Sequence, residues 1–544
     1  MKKYEQLGGN FLGSIVSGSL AEGLTMRVAH TNVLSLLKTG KFVSIRSTQG
    51  TFFCLVADLA LAVSDPEILL FPPGPDEDIL REVISQRSIY ATATLRPLMM
   101  VDTTQSLGTV KTVPAHFSPV YEATAHDVQL VFGNADHPSG RYFVIGTPID
   151  MRAPVCIDLE RITERSNGIF GKTGTGKTFI TRLVLAGLIK QKKAAVVIFD
   201  MHSEYGFQAR QEGGSSFFVK GLKSLFPHKV AIFSLDPQAT RRRGCTPDVE
   251  ILIPYSLLNV EDIMSLQEEL NLHPTAVEAA YLIHARYKNE WLSALFTHGS
   301  NAKEFAQSLG AHAESIAALY RKLKRLERLP FLLAEEPKNS PATSVIDRMM
   351  EYIARGVSIV VEFGNYSSTI CYLLVANILT RRIHSEYVER TEQFLASQAK
   401  EQEPIKLMIC IEEAHKFLNP SAARQTIFGI IAREMRKYYV SLLIVDQRPS
   451  GIDPEILSQI GTKIIAQLND EKDIQAVLTG ISNASAMRTI LGGLDSKKQL
   501  LVIGYAVAMP VVVQAREYNQ DFYQDMASEI SLQAIDTTIK EIFG

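Results

Sequence analysis

The eight residues Gly171-Lys-Thr-Gly-Thr-Gly-Lys-Thr178 constrain this chain more than any other feature. They fit the pattern G-x-x-x-x-G-K-[ST], the phosphate-binding P-loop of nucleoside triphosphatases. The chemistry demands this composition. Gly171, Gly174 and Gly176, with Thr173 and Thr175 between them, let backbone N–H groups turn inward around phosphate oxygens. Lys177 adds a full positive charge at the phosphates, and Thr178 offers a hydroxyl to Mg2+. A helix is expected from Phe179 to Lys190, with its positive N-terminal end aimed at the same anion. Ser166–Phe170 reads as a short buried strand, so strand, loop and helix follow in the order a P-loop requires.

That unit sets the fold class as α/β. Val196-Val-Ile-Phe-Asp200 reads as a buried parallel strand ending in an acid. Strand–helix alternation resumes at Val357–Phe363 and continues through Ile405–Ile411, Val440–Val445 and Lys463–Gln467. Such alternation predicts a mostly parallel sheet with helices on both faces. Strands near 499–515 are expected to complete it. From about 246 to 345 the strands vanish, and stretches such as Val260–Leu270 and His312–Leu329 carry helical periodicity. Ahead of the core, Gly13-Ser-Ile-Val-Ser, Phe42-Val-Ser-Ile-Arg and Phe52–Ala57 are short runs parted by turn residues, which predicts a small barrel. The expected domains are an N-terminal β-barrel over 1–150, a nucleotide-binding core over 151–245 and 346–520, an inserted helical subdomain over 246–345, and a C-terminal helical brace over 521–544.

Bulk properties narrow the function classes. A chain of 544 residues has room for two to four domains. A net charge of −2 excludes a globally basic nucleic-acid coat. A local basic channel remains compatible, because phosphate contacts act over a Debye length of about 8 Å. The five cysteines show no C-x-x-C spacing, which argues against a zinc site and suits a reducing cytosol. Cys371 and Cys410 sit in apolar runs as small core residues. No apolar segment follows the first lysines, so no signal peptide is expected. The longest nearly apolar run, Leu500–Val513, is about 14 residues and too short to span a bilayer.

A P-loop needs acids opposite it. Ile405–Ile411 is followed by Glu412-Glu413-Ala-His415, two carboxylates at the C-terminal end of a parallel strand, where ligands bind in such sheets. The expected roles are metal support for Glu412 and polarisation of the attacking water for Glu413. Asp200 ends the strand after the P-loop helix, with Glu204 just beyond it, so both are expected near the phosphates. Gln447 follows the next strand, placed to read the γ-phosphate or orient water. Arg433 and Arg436 precede that strand, and one of them is expected to act as an arginine finger across a subunit interface.

Together these residues resemble the HerA family of hexameric DNA-translocating ATPases, relatives of FtsK-type motors. Gly171–Thr178 is similar to its P-loop, Asp200–Tyr205 to its D-x-x-x-E-Y, Glu412–His415 to its E-E-A-H, Arg433–Lys437 to its R-E-G-R-K, and Gln447-Arg-Pro449 to its Q-R-P. Asn469-Asp470 matches a further N-D pair. The resemblance extends over nearly the whole chain. It implies a RecA-like core behind a small barrel, a homo-hexamer with ATP and Mg2+ at the subunit interfaces, and duplex DNA in a central pore. It also implies a partner, either a nuclease such as NurA or a Sir2-like effector in antiphage systems, and a cytoplasmic location without a membrane. Two positions depart from the pattern. Glu412 stands where many P-loop enzymes carry Asp, and Met435 replaces the usual Gly of R-E-G-R-K.

Two function classes follow. In the first, hydrolysis drives DNA translocation, with phosphate contacts expected among Lys190–Lys193, Arg241–Arg243 and Arg321–Arg328. In the second, the ring is an ATP-switched scaffold that assembles and gates an effector. A conjugation or secretion coupling ATPase is a third reading, disfavoured by the lack of a spanning helix.

Overall fold

Period-two alternation near the N-terminus closes into a barrel in the computed structural model. Residues 9–527 are described, except 65–69, 71, 75, 78–83, 85–88, 103, 105, 150, 211–217, 335–343, 422, 424–425, 435–436, 482–483 and 496–497. Six strands form the barrel: Phe11–Ser19, Gly23–Val28, Phe42–Ser47, Gly50–Val63, Ile89–Asp102 and Pro119–Glu122. All neighbours are antiparallel, and the pairing of Gly23–Val28 with Ile89–Asp102 completes the circuit. Alternate residues fill the inside: Val43 and Ile45, then Phe52, Cys54 and Val56, with Leu12, Met26, Leu95 and Val120 facing them. Bulges between Phe53 and Cys54 and between Val56 and Asp58 supply the curvature that closure requires. The barrel strands end at Glu122. The strand Tyr142–Pro148, which lies within the expected 1–150 span, pairs instead with Val511–Ala515 and Val155–Asp158.

By contact density the chain divides into two units, one holding residues up to 162, 169–177 and 461–517, the other 163–168, 178–460 and those from 518 on. The chain passes from the first to the second inside the P-loop, between Lys177 and Thr178. Besides the barrel, the first unit holds an antiparallel run in the order Thr462–Ile465, Gln499–Gly504, Val511–Ala515, Tyr142–Pro148, Val155–Asp158.

The second unit is built on six parallel strands. Their order is Val249–Glu250, Val230–Ser234, Ser358–Glu362, Ala195–Asp200, Leu407–Glu412, Val440–Asp446. The five longer strands are continuous apolar runs because helices cover both faces of a parallel sheet. The P-loop helix, Lys177–Lys190, is buried from Ile180 to Ile189.

Helices Val260–Met264, Gln267–Leu270, Pro274–Tyr287, Trp291–His298, Ala302–Leu309 and Ala313–Leu323 lie within 246–345, but strands do not vanish there: Val249–Glu250 joins the parallel sheet and Ile253–Pro254 pairs with Leu332–Leu333. Its core includes Trp291, fully buried, whose indole N–H donates to the Leu258 carbonyl at 2.8 Å. Ile316, Leu319, Leu323 and Leu326 form the buried stripe of the last segment, at helical spacing. The stretch 520–527 is helical, and the remainder of the expected brace, 528–544, lies outside the described residues. Among the described residues no helix is long and apolar enough to cross a membrane.

Candidate nucleotide site

The P-loop has the backbone its sequence demands. Gly174 and Gly176 adopt φ +82° and +90°, the region open to glycine without strain. A Cβ added at either would meet nothing within 4 Å, so it is the backbone conformation and not crowding that calls for glycine there. Gly171 is small for a different reason: a Cβ there would come within 2.7 Å of Thr175 Oγ1 and 2.8 Å of the Ala466 Cβ. Lys172 N donates to the Gln467 carbonyl at 3.0 Å, and the Lys172 carbonyl accepts from Thr175 Oγ1 at 2.8 Å and Lys177 Nζ at 3.2 Å. Thr173 is exposed at the loop tip. Phe179, in the first turn of the helix, packs edge-on against Tyr518 with ring centroids 5.6 Å apart.

In the second unit, acids cluster at the C-terminal ends of the parallel strands. Asp200 and Glu362 are register partners on adjacent strands, and both are buried. Asp200 folds the chain back on itself: its carboxylate accepts from Glu204 N and Tyr205 N, each at 2.8 Å. Glu204 thus meets Asp200 through its backbone. Tyr205 is fully buried, and its hydroxyl donates to Glu412 Oε1 at 2.6 Å. Burial and the neighbouring Glu412 charge push the Tyr205 phenol up, which keeps it a donor. Tyr372 holds the same residue by its backbone, accepting from Glu412 N and donating to Glu412 O, both at 3.0 Å. The additional methylene of Glu412 is therefore pinned at both ends.

Glu413 lies one residue past the strand in a left-handed conformation, φ +50°. Few non-glycine residues adopt it, and such strain is typical of functional turns. The conformation turns Glu413 toward Gln447, whose amide nitrogen lies 3.2 Å from Glu413 Oε1 and 3.4 Å from Oε2. Asp446, buried at the end of the adjacent strand, accepts from His415 N at 2.6 Å, His415 Nδ1 at 3.0 Å and Arg448 N at 2.7 Å. The bond to Asp446 raises the pKa of His415 against the opposing effect of burial.

Burial pushes Asp200 up to about 7 and Glu412 up to about 8, from ordinary values of 3.8 and 4.5. Both folded values exceed the unfolded ones, so the folded state binds the extra protons. Their stabilising contribution is complete below pH about 4 and is lost as pH rises through 7 and 8. Thermal melts of the nucleotide-free protein without Mg2+ should therefore show Tm falling from pH 6 to about 8.5, with a shallower slope in Asp200→Asn. An unchanged slope in that variant would remove Asp200 as a source.

The arrangement brings Asp200, Glu204, Glu412, Glu413 and Gln447 to one end of the sheet. Arg433, on the helix Ile427–Glu434, donates to the Ala423 carbonyl of its own chain at 3.2 Å. Arg436 and Met435 lie outside the described residues. Of the basic clusters, Lys190 pairs with Asp525 and Arg243 with Glu362, each at 2.7 Å, so two of those charges are already compensated within the chain. Sequence reasoning gave no role to Tyr205, Tyr372, Glu362, His415 or Asp446. Glu362 and Asp446 had a usable signal, an acid closing an apolar strand just as Asp200 does. Tyr372, inside a helix, had none.

Thr178 and Glu412 are oxygen donors of the type Mg2+ accepts. Among the described residues no group of three or more His, Cys, Asp or Glu could hold a metal ion alone.

Known proteins resemble this chain over much of its length. A family model described as "Helicase HerA, central domain" matches residues 143–383. The DNA double-strand break repair helicase HerA of Pyrococcus furiosus is 22% identical over 425 residues, covering 74% of this chain and 73% of the relative. The protein of the same name from Sulfurisphaera tokodaii is 23% identical over 457 residues, 81% of this chain and 80% of the relative. A probable helicase of Methanocaldococcus jannaschii is 21% identical over 542 residues, 93% of this chain and 97% of the relative.

Proposed function

We propose that the chain, which resembles HerA helicases over most of its length, works as a P-loop ATPase in a homo-hexameric ring whose ATP hydrolysis translocates or unwinds duplex DNA threaded through the central pore. The observation that carries the hydrolytic part is the Glu413–Gln447 pair: a carboxylate in a strained turn, hydrogen-bonded to an amide on the neighbouring strand end. In this reading the backbone of Gly171–Thr178 and Lys177 bind the phosphates. Asp200 and Glu204 shape the turn that leaves their own strand. Thr178 and Glu412 would hold Mg2+, which would neutralise charge on the phosphate oxygens when bound. Glu413 takes a proton from the attacking water, and Gln447 responds to the γ-phosphate. Arg433 or Arg436 supplies positive charge to a neighbouring subunit's nucleotide.

The names of the relatives, DNA double-strand break repair helicases, support the repair of broken DNA as the setting, and a nuclease is the partner we propose. A Sir2-like or other effector in antiphage defence is the alternative partner, and the cytoplasm is the proposed location. A second reading, an ATP-switched scaffold that gates its effector without processive translocation, draws support from Lys190 and Arg243 being engaged in internal ion pairs.

Steady-state ATPase rate with and without long duplex DNA separates the two, with Lys177→Ala as the blank. The motor predicts strong stimulation that declines steeply with salt, as phosphate contacts release counterions. A rate indifferent to DNA would reject the motor and favour the scaffold.

A further inference from the structure

We propose that His415, through its bonds to Asp446, is a positioning residue that fixes Glu413 against Gln447 for hydrolysis. The inference rests on the assignment of Glu413 as the residue that activates water. Glu413 and Gln447 lie on separate segments, each just past the end of its own strand. Parallel register sets Glu412 opposite Val445, so the two segments leave the sheet side by side. Register alone does not determine the path of either segment beyond the sheet. Asp446 does so for both.

The Asp446 carboxylate accepts from Arg448 N, which folds the Gln447 segment around it. It also accepts from His415 N and His415 Nδ1, which draws the Glu413 segment to the same point. A carboxylate only accepts, so Nδ1 carries the proton in this contact. Asp446 is 1% exposed, which makes these bonds strong and their loss costly. His415 Nδ1 also lies 3.7 Å from Glu413 Oε2, so the ring borders the carboxylate that it positions. Gly451 is close on the other side: a Cβ there would stand 3.1 Å from the His415 Cβ. The left-handed backbone of Glu413 would otherwise relax toward an ordinary region, and the anchor two residues later opposes that relaxation.

The test compares His415→Ala, which removes the side-chain donor, with His415→Asn, whose amide nitrogen can take the place of Nδ1. Turnover is measured with ATP, and affinity with a non-hydrolysable ATP analogue. For His415→Ala, kcat should fall about 100-fold, the scale of a misplacement of about 1 Å, while analogue affinity and KM stay within about threefold of wild type. His415→Asn should recover most of that loss. A wild-type kcat in His415→Ala would overturn the inference, as would equal loss in His415→Asn. A drop in analogue affinity matching the drop in kcat would make the contact a folding device and overturn it too. Glu413→Gln, run in parallel, separates the levels. Normal turnover in that variant rejects the underlying assignment and the inference with it. An inactive Glu413→Gln beside a fully active His415→Ala rejects the inference alone.

Discussion

Glu413→Gln should bind ATP with near-wild-type affinity and hydrolyse it about 10²- to 10⁴-fold more slowly, the usual contribution of a general base. The amide keeps the size of the carboxylate but cannot accept the proton of water. Gln447 at 3.2 Å retains an acceptor, because the new side chain still offers a carbonyl oxygen. Little in the turn should therefore rearrange, and the loss should fall on kcat with KM hardly changed. Analogue titration and single-turnover hydrolysis read the two quantities separately. Turnover within about threefold of wild type would reject Glu413 as the base. It would turn attention to Glu412, although Glu412 is less suited to that role, because its carboxylate already accepts from Tyr205 at 2.6 Å.

Asp262→Ala should destabilise the second unit by about 3–5 kcal/mol, the range for breaking a buried ion pair from one side. Asp262 is 0% exposed and sits at the start of the helical insertion. Its carboxylate accepts from Arg381 Nε at 3.0 Å and Nη2 at 2.5 Å, from Asn377 Nδ2 at 2.8 Å and from Asn259 N at 2.8 Å. Asn377 and Arg381 are four residues apart on the long helix Thr369–Ser397, so they share one face and reach the same acid. Removing the acid leaves the Arg381 charge largely buried, at 17% exposure, without its counterion. The double variant Asp262→Leu/Arg381→Met should recover much of the stability, because an apolar pair of similar volume removes both desolvation penalties. Denaturant midpoints of the three proteins measure this directly. A single variant within about 1 kcal/mol of wild type would show that the insertion is held mainly by apolar contacts such as Trp291.

The candidate nucleotide site was legible in the sequence wherever chemistry requires a particular residue at a particular spacing. The P-loop needs glycine at 174 and 176 because those positions have φ near +80° to +90°, and that need is written locally. Asp200 and the Glu412–Glu413 pair were visible as acids terminating apolar runs, because buried parallel strands tolerate charge only at their ends. The barrel was visible in short runs parted by turn residues, such as Phe42–Arg46 and Phe52–Ala57, although its end at Glu122 was not. Strand direction was equally hidden: Thr462–Ile465 reads like the parallel strands before it, yet pairs antiparallel with Gln499–Gly504. Periodicity reports which face is buried and says nothing of which way a neighbour runs.

What only the tertiary structure decided are the partnerships that make those residues a site. Tyr205 reaches Glu412 across 207 residues, Tyr372 reaches it across 40, and His415 reaches Asp446 across 31. Residue types and spacing gave the candidate catalytic groups because each must supply its own chemistry. The groups that orient them are chosen by strand order and register, which depend on how crossovers bring distant segments side by side. A hydroxyl, imidazole or carboxylate acquires such a role only from the neighbour that folding places within hydrogen-bond reach.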